Sequence, residues 1–264
     1  MVARARKLLS QKKIGHSGTL DPDATGVLLL GCGKVTRLLR FLTALPKSYV
    51  GEVVLGTETS TLDAAGEVTA TYDMSEIRLD DVRAAALAFL GEIEQVPPMV
   101  SAVKVGGRRL HELAREGVEV EREPRRVTVH RLHVDATGEA HVFRMEVDCS
   151  SGTYVRALAA DIGLALGGGA HLRALRRTAI GSFTLAEARP LEDLMVLPPV
   201  DALRDYPSVR VDAPTAADVR HGKLLDLPGA GDGPVAVLDE GGELLAVYEP
   251  HKGRMKPSVV VGAG

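Results

Sequence analysis

Between residues 15 and 26 the chain reads GHSGTLDPDATG, a segment too rich in glycine to continue the element on either side of it. It comes after a basic stretch over 2–13 with Val2, Leu8 and Leu9 at helical spacing, and it precedes VLLLG, which reads as a buried strand. Its glycines permit close backbone approach or positive φ. Pro22 stiffens the backbone next to Asp21, so His16, Thr19 and Asp21 are displayed on this loop rather than packed. Taken alone, Asp21 reads first as a turn cap ahead of proline, a place aspartate often fills.

The remaining chain mixes both kinds of periodicity. Residues 34–42 and 79–90 pattern as helices, 108–115 and 154–166 likewise, while 48–56, 66–72 and 99–105 read as strands. Segments 126–135 and 141–149 alternate well enough to pair, and 172–183 is a mixed run ending in a strand. Past Pro190 the texture changes to prolines and Gly-Asp or Gly-Gly pairs, with a hairpin expected where 235–238 and 244–248 flank Asp-Glu-Gly-Gly. Strands and helices are interspersed without regular βαβ alternation. The expected class is therefore α+β, with a mixed, largely antiparallel central sheet flanked by helices and a small β-rich C-terminal module. The boundary is placed at 205, giving a domain over 1–205 and a module over 206–264.

Several classes of function fall away at once. No run approaches the ~18 apolar residues of a membrane span. The start, MVARARKLLSQKK, lacks the apolar core of a signal peptide, and two cysteines cannot build a disulfide framework, so a reducing cytoplasm is expected. The net charge of −3 conceals a segregation. Residues 1–50 carry nine Lys and Arg against two Asp, whereas 51–100 carry two against ten acidic residues. Residues 101–131 and 151–190 are again basic, so three stretches could attract phosphates. Solvated faces that alternate in sign explain the same numbers.

Two other motifs fail on spacing. Gly31 to Thr36 lacks the hydroxyl residue directly after Lys34 that a phosphate loop requires. His130, His133, His141 and Cys149 contain no paired ligand spacing and suit paired strands better than zinc.

The segment GHSGTLDPDATGVLLLGCGKVTR resembles the signature loop of TruB-type tRNA pseudouridine synthases. Three further blocks continue the resemblance in order: KSYVGEVVLGTETSTLDAAGE, PPMVSAVKVGGRRLHELAREG and CSSGTYVRALAADIGLALGGGAHLRALRRTAIGSF. The resemblance implies the pseudouridine synthase fold and an isomerase that converts uridine 55 in the T loop of tRNA to pseudouridine. It implies Asp21 as catalytic nucleophile, His16 as a residue linked to flipping the target nucleotide, and Tyr49 as the tyrosine stacked on the uracil. Tyr154 falls on a second substrate-contacting tyrosine, Arg156 on the arginine paired with the nucleophile, and Leu175 on an apolar pocket residue. The C-terminal module is loosely similar to the small RNA-binding (PUA-like) module of the family. The family pattern begins with a strand and a Lys-Pro element ahead of the basic helix, and here that part is expected to be missing. A non-catalytic helper that grips the tRNA T arm is the alternative this raises. A monomer with no cofactor, no metal and no membrane partner is expected.

The chemistry fits those residue types. Turning uridine into pseudouridine breaks the N1–C1′ bond, rotates the base and rejoins it through C5, with no atom or electron added. A carboxylate can serve as nucleophile, at C1′ or at C6. Enclosure by substrate disfavours its charged form, and a neighbouring guanidinium offsets this. A base taken from a folded loop must be flipped out and held by aromatic or apolar side chains.

Overall fold

The computed structural model describes residues 1–229 and 231–261. The chain forms two compact units: one comprises Thr19–Val27 with Leu45–Ala186, the other Met1–Gly18, Leu28–Ala44 and Glu187–Gly264. No helix among the described residues is long and apolar enough to cross a membrane.

The first unit is built on a seven-stranded sheet. Its path runs Phe183–Thr184, Ala170–Ile180, Lys47–Leu55, Val142–Cys149, Arg125–Ala136 and Gly91–Gln95, all antiparallel, and Thr25–Gly26 adds a parallel pair to Ala170–Ile180. This is the α+β class with a largely antiparallel sheet that the chain pattern implies. Strict alternation explains the two faces. Val53, Leu55, Phe143, Met145, Val147 and Cys149 point into one apolar core, where they meet Val155, Leu158, Ala159 and Ile162 of the Val155–Ala165 helix and Val82 and Ala86 of the Leu79–Leu87 helix. Residues between them on the same strands face solvent and form ion pairs: Glu52 with Arg173, Arg144 with Glu146, and Arg131 with Asp148. Leu158 is fully buried, so truncating it to alanine should cost about 2–5 kcal/mol.

Three local expectations are corrected. Residues 170–180 are one continuous strand rather than a mixed run, although Ala, Leu and Arg favour helix; pairing along Lys47–Leu55 overrides that preference. The apolar run after the loop does not make one buried strand. Gly26 ends one short pairing and Leu30–Cys32 begins another, with Ile14–His16, because the chain passes between two units there. The helix expected over 79–90 stops at Leu87, since Gly91, at φ +88°, already opens the strand Gly91–Gln95.

In the second unit a four-stranded sheet runs Ser208–Arg210, Val235–Leu238, Leu244–His251, Arg254–Val260, and the expected hairpin is its centre. Val235–Leu238 is buried along its whole length because both faces are covered. Val235 and Val237 pack with Ala216 and Val219 of the Ala213–Arg220 helix, while Ala236 and Leu238 pack with Leu38, Phe41 and Leu203. That helix is capped by Asp212, whose carboxylate accepts from the Thr215 N–H at 2.9 Å.

Candidate active site

The loop that carries Asp21 is fastened at its far end. Thr25 and Gly26 pair with Arg176 and Arg177, the Val27 N–H donates to the Arg177 carbonyl at 2.9 Å, and Arg177 Nε donates back to the Val27 carbonyl at 2.8 Å. Gly26 lies at φ +104°, and a Cβ there would sit 2.0 Å from the Arg177 carbonyl oxygen. Only glycine allows that approach. Between these anchors the Ala24 N–H closes a turn onto the Asp21 carbonyl, which leaves the Asp21 side chain over a third exposed.

Across from it stands Arg156, in the first turn of Val155–Ala165, with a side chain only 3% exposed. Its Nε donates to Asp21 Oδ2 at 2.9 Å and Nη2 to Oδ1 at 3.0 Å, the fork-on-fork geometry that a planar guanidinium makes and an ammonium cannot. Nη1 donates to the Thr61 carbonyl at 2.7 Å and lies 3.3 Å from Asp63 Oδ2; Nη2 also reaches the Val100 carbonyl at 2.9 Å. A guanidinium has five N–H donors, and five acceptors surround this one. Asp63 is itself held, accepting from the Thr61 hydroxyl and from the Ala65 N–H at 3.1 Å. The arrangement fixes one carboxylate, Asp63, deep in the protein and presents the other, Asp21, toward solvent.

Tyr49 lies on Lys47–Leu55 opposite Arg177, two positions from Gly51, which faces Leu175. Burial pushes its phenol above the ordinary value; Arg177, which donates to the phenol, opposes that shift, and the nearby Asp21 carboxylate adds to it. The tyrosine therefore keeps its proton at neutral pH. Leu175 and Tyr49 both pack, partly buried, against the main core, and a Cβ on Gly51 would come within 3.5 Å of Leu175 Cδ1. Tyr154 is the residue at which the Val155–Ala165 helix starts, two before Arg156. Both hydrogen-bonding groups of its backbone pair with the side chain of Gln95: the N–H donates to Oε1 at 2.7 Å and the carbonyl accepts from Nε2 at 3.1 Å.

Five of the six residues singled out from sequence thus sit in one unit, and Asp21, Arg156 and Tyr49 are brought into direct mutual influence there. His16 belongs to the other unit, on Ile14–His16, exposed, with Nδ1 accepting from the Gly18 N–H at 3.3 Å. Asp63, Gln95 and the Thr61 and Val100 carbonyls are additions that the sequence does not announce. The DAAG turn around Asp63 is a signal, but it reads only as a turn; backbone carbonyls leave no side-chain signature at all.

Comparison with known proteins agrees with this geometry. The N-terminal domain of TruB family pseudouridylate synthases matches residues 6–155, and a tRNA pseudouridine synthase II C-terminal domain matches 206–262. A tRNA pseudouridine synthase B from Rhodococcus jostii is 46% identical over 99% of this chain and 88% of its own length. One from Symbiobacterium thermophilum is 51% identical over 84% of this chain and 77% of its own. Among solved structures, a Cbf5-Nop10-Gar1 complex superposes with a TM-score of 0.70 at 29% identity, covering 94% of this chain and 73% of that one. An H/ACA RNP bound to a substrate RNA containing 2'-deoxyuridine gives 0.72 at 25% identity, covering all of this chain and 80% of that one. The loop, the paired arginine and these matches agree that the chain is an isomerase belonging to the TruB family of pseudouridylate synthases.

Proposed function

We propose that this chain converts uridine 55 in the T loop of tRNA to pseudouridine, with Asp21 as the nucleophile. The observation that carries the reading is the two-bond pairing of Asp21 with a buried, fully satisfied Arg156. It holds a carboxylate ionised and aimed, yet over a third exposed, as an attacking group needs and a structural ion pair does not. Names of the similar proteins from Rhodococcus jostii and Symbiobacterium thermophilum supply tRNA as the substrate class.

In this reading Asp21 adds to C1′ or C6 of the flipped uridine, the N1–C1′ bond breaks, and the base rejoins through C5, which then gives up its proton. Tyr49 stacks on the base, Tyr154 and Leu175 line its pocket, and His16 assists its extrusion. The basic stretches attract the phosphates of the T arm, and residues 206–264 act as an RNA-binding module over the same substrate. The enzyme works as a cytoplasmic monomer without metal or cofactor.

The deciding experiment pairs tRNA binding with tritium release from 5-tritiated uridine, using wild type and Asp21→Asn. The variant keeps size and loses charge, so binding should stay near normal while release vanishes. Loss of both would make Asp21 a structural turn residue, and retained release would remove it from the chemistry.

A further inference from the structure

Gln95 is the last residue of Gly91–Gln95, where backbone pairing to Arg125 ends, and it is only 2% exposed. Its side-chain amide continues the ladder in a different direction. It pairs with the N–H and carbonyl of Tyr154 through two hydrogen bonds, as a strand residue pairs with its neighbour. Tyr154 has no side-chain cap, and the helix it starts delivers Arg156 half a turn later. Five residues beyond Gln95 in the other direction, Val100 supplies one of the carbonyls that hold the same guanidinium. One buried amide therefore fixes both the helix start that carries Arg156 and the root of a segment that grips it.

We infer that Gln95 is a positioning residue for pseudouridine formation, setting the phase of the Val155–Ala165 helix so that Tyr154 and Arg156 meet base and nucleophile in register. It touches no reacting atom and acts through Tyr154. The inference rests on the functional reading of Asp21, Tyr154 and Arg156 as nucleophile, substrate contact and partner. An amide is required rather than an acid, because Tyr154 presents one donor and one acceptor, and only a group with the complementary pair satisfies both.

That complementarity gives a test that a mere packing role would not pass. Gln95→Glu is nearly isosteric. Ionised, it sets a carboxylate oxygen against the Tyr154 carbonyl; protonated, it restores one donor and one acceptor. Burial beside a carbonyl raises the pKa of such an acid, bringing its titration into the working range. Tritium release from 5-tritiated uridine in tRNA is measured from about pH 6 to about 8.5 for wild type, Gln95→Glu and Gln95→Met, with tRNA Kd and thermal melts in the same buffers. At the alkaline end kcat of the Glu variant should fall about tenfold or more below wild type, with Kd within about twofold. The ratio to wild type should climb toward one as pH falls, while Gln95→Met, which has neither bond, stays low throughout. A flat ratio in the Glu variant, wild-type kcat in either variant, or a loss matched by the fraction unfolded would overturn the assignment. If Gln95→Glu does not fold, the Met variant decides through kcat and Kd alone. Absence of release by the wild-type chain would sink the functional reading itself, and this inference with it. Normal wild-type release with unaffected variants would sink only the role of Gln95.

Discussion

Arg156 and Arg173 lie in the same unit, and each holds two carboxylates, yet they are different objects. Arg173 stands on the open face of the sheet, with Nε on Glu52 at 2.9 Å and both terminal nitrogens on Glu139, at 2.6 and 3.2 Å. Its side chain is 36% exposed and Glu139 is 61% exposed. Arg156 makes a similar number of bonds at 3% exposure, and two of its acceptors are backbone carbonyls that cannot move away. Water competes for every bond of Arg173 and for almost none of Arg156. Bond count is therefore a poor guide to what an ion pair does; access of solvent to the cation decides. The open-face pairs keep a β surface charged and soluble, whereas the buried one holds a carboxylate in a chosen orientation.

The largest effect should come from Arg156→Met. It strands Asp63 and two carbonyls around an apolar side chain, which should cost about 3–5 kcal/mol and remove measurable turnover. Chemical denaturation with the tritium assay checks both. Asp63→Asn should do less. It keeps the shape of the site while weakening one charged contact to Arg156, so folding should survive and kcat should fall roughly tenfold to a hundredfold. A Kd change in place of the kcat change would place Asp63 in RNA binding.

A second buried cation sharpens the contrast from another direction. Lys47, 6% exposed, donates to the Leu45 carbonyl, and burial together with the charge of Arg177 lowers its pKa from 10.5 to about 8. Between those values the unfolded lysine holds a proton that the folded one has released, so stability gains with rising pH across that window. Lys47→Met removes the effect. The melting temperature of wild type should thus rise relative to the variant between pH 8 and 10.5; a constant difference would mean that the folded lysine is not perturbed. The raised phenol of Tyr49 is common to both proteins and cancels. Smallest of all, Arg173→Gln should leave melting temperature and turnover indistinguishable from wild type. A loss comparable with that of Arg156→Met would end the distinction drawn between exposed and buried pairs.

Much of the fold and part of the site are legible in the sequence. Alternation of Tyr49, Gly51, Val53 and Leu55 declares a one-sided strand, and the loop of residues 15–26 advertises Asp21 through composition and resemblance. The Asp21–Arg156 pair spans 135 positions and comes from resemblance alone, since no periodicity links a loop to a distant helix. The strand at 170–180 is obscured because its residues prefer helix and only a neighbouring strand reverses that preference. Gln95 is invisible for a different reason. A glutamine closing an alternating strand is unremarkable until the backbone of Tyr154 arrives to meet it.

The fastening of Gly26 to Arg177 also has a consequence in time. Asp21 is tethered on one side by its own ion pair and on the other by a backbone contact that admits no side chain. Its loop has therefore surrendered its conformational freedom during folding, before any RNA is met. The ordering entropy of the nucleophile is charged to the stability of the protein and not to each turnover. In hydrogen exchange this should make the Val27 amide, nominally at a loop's end, open no faster than the long strand on which it rests.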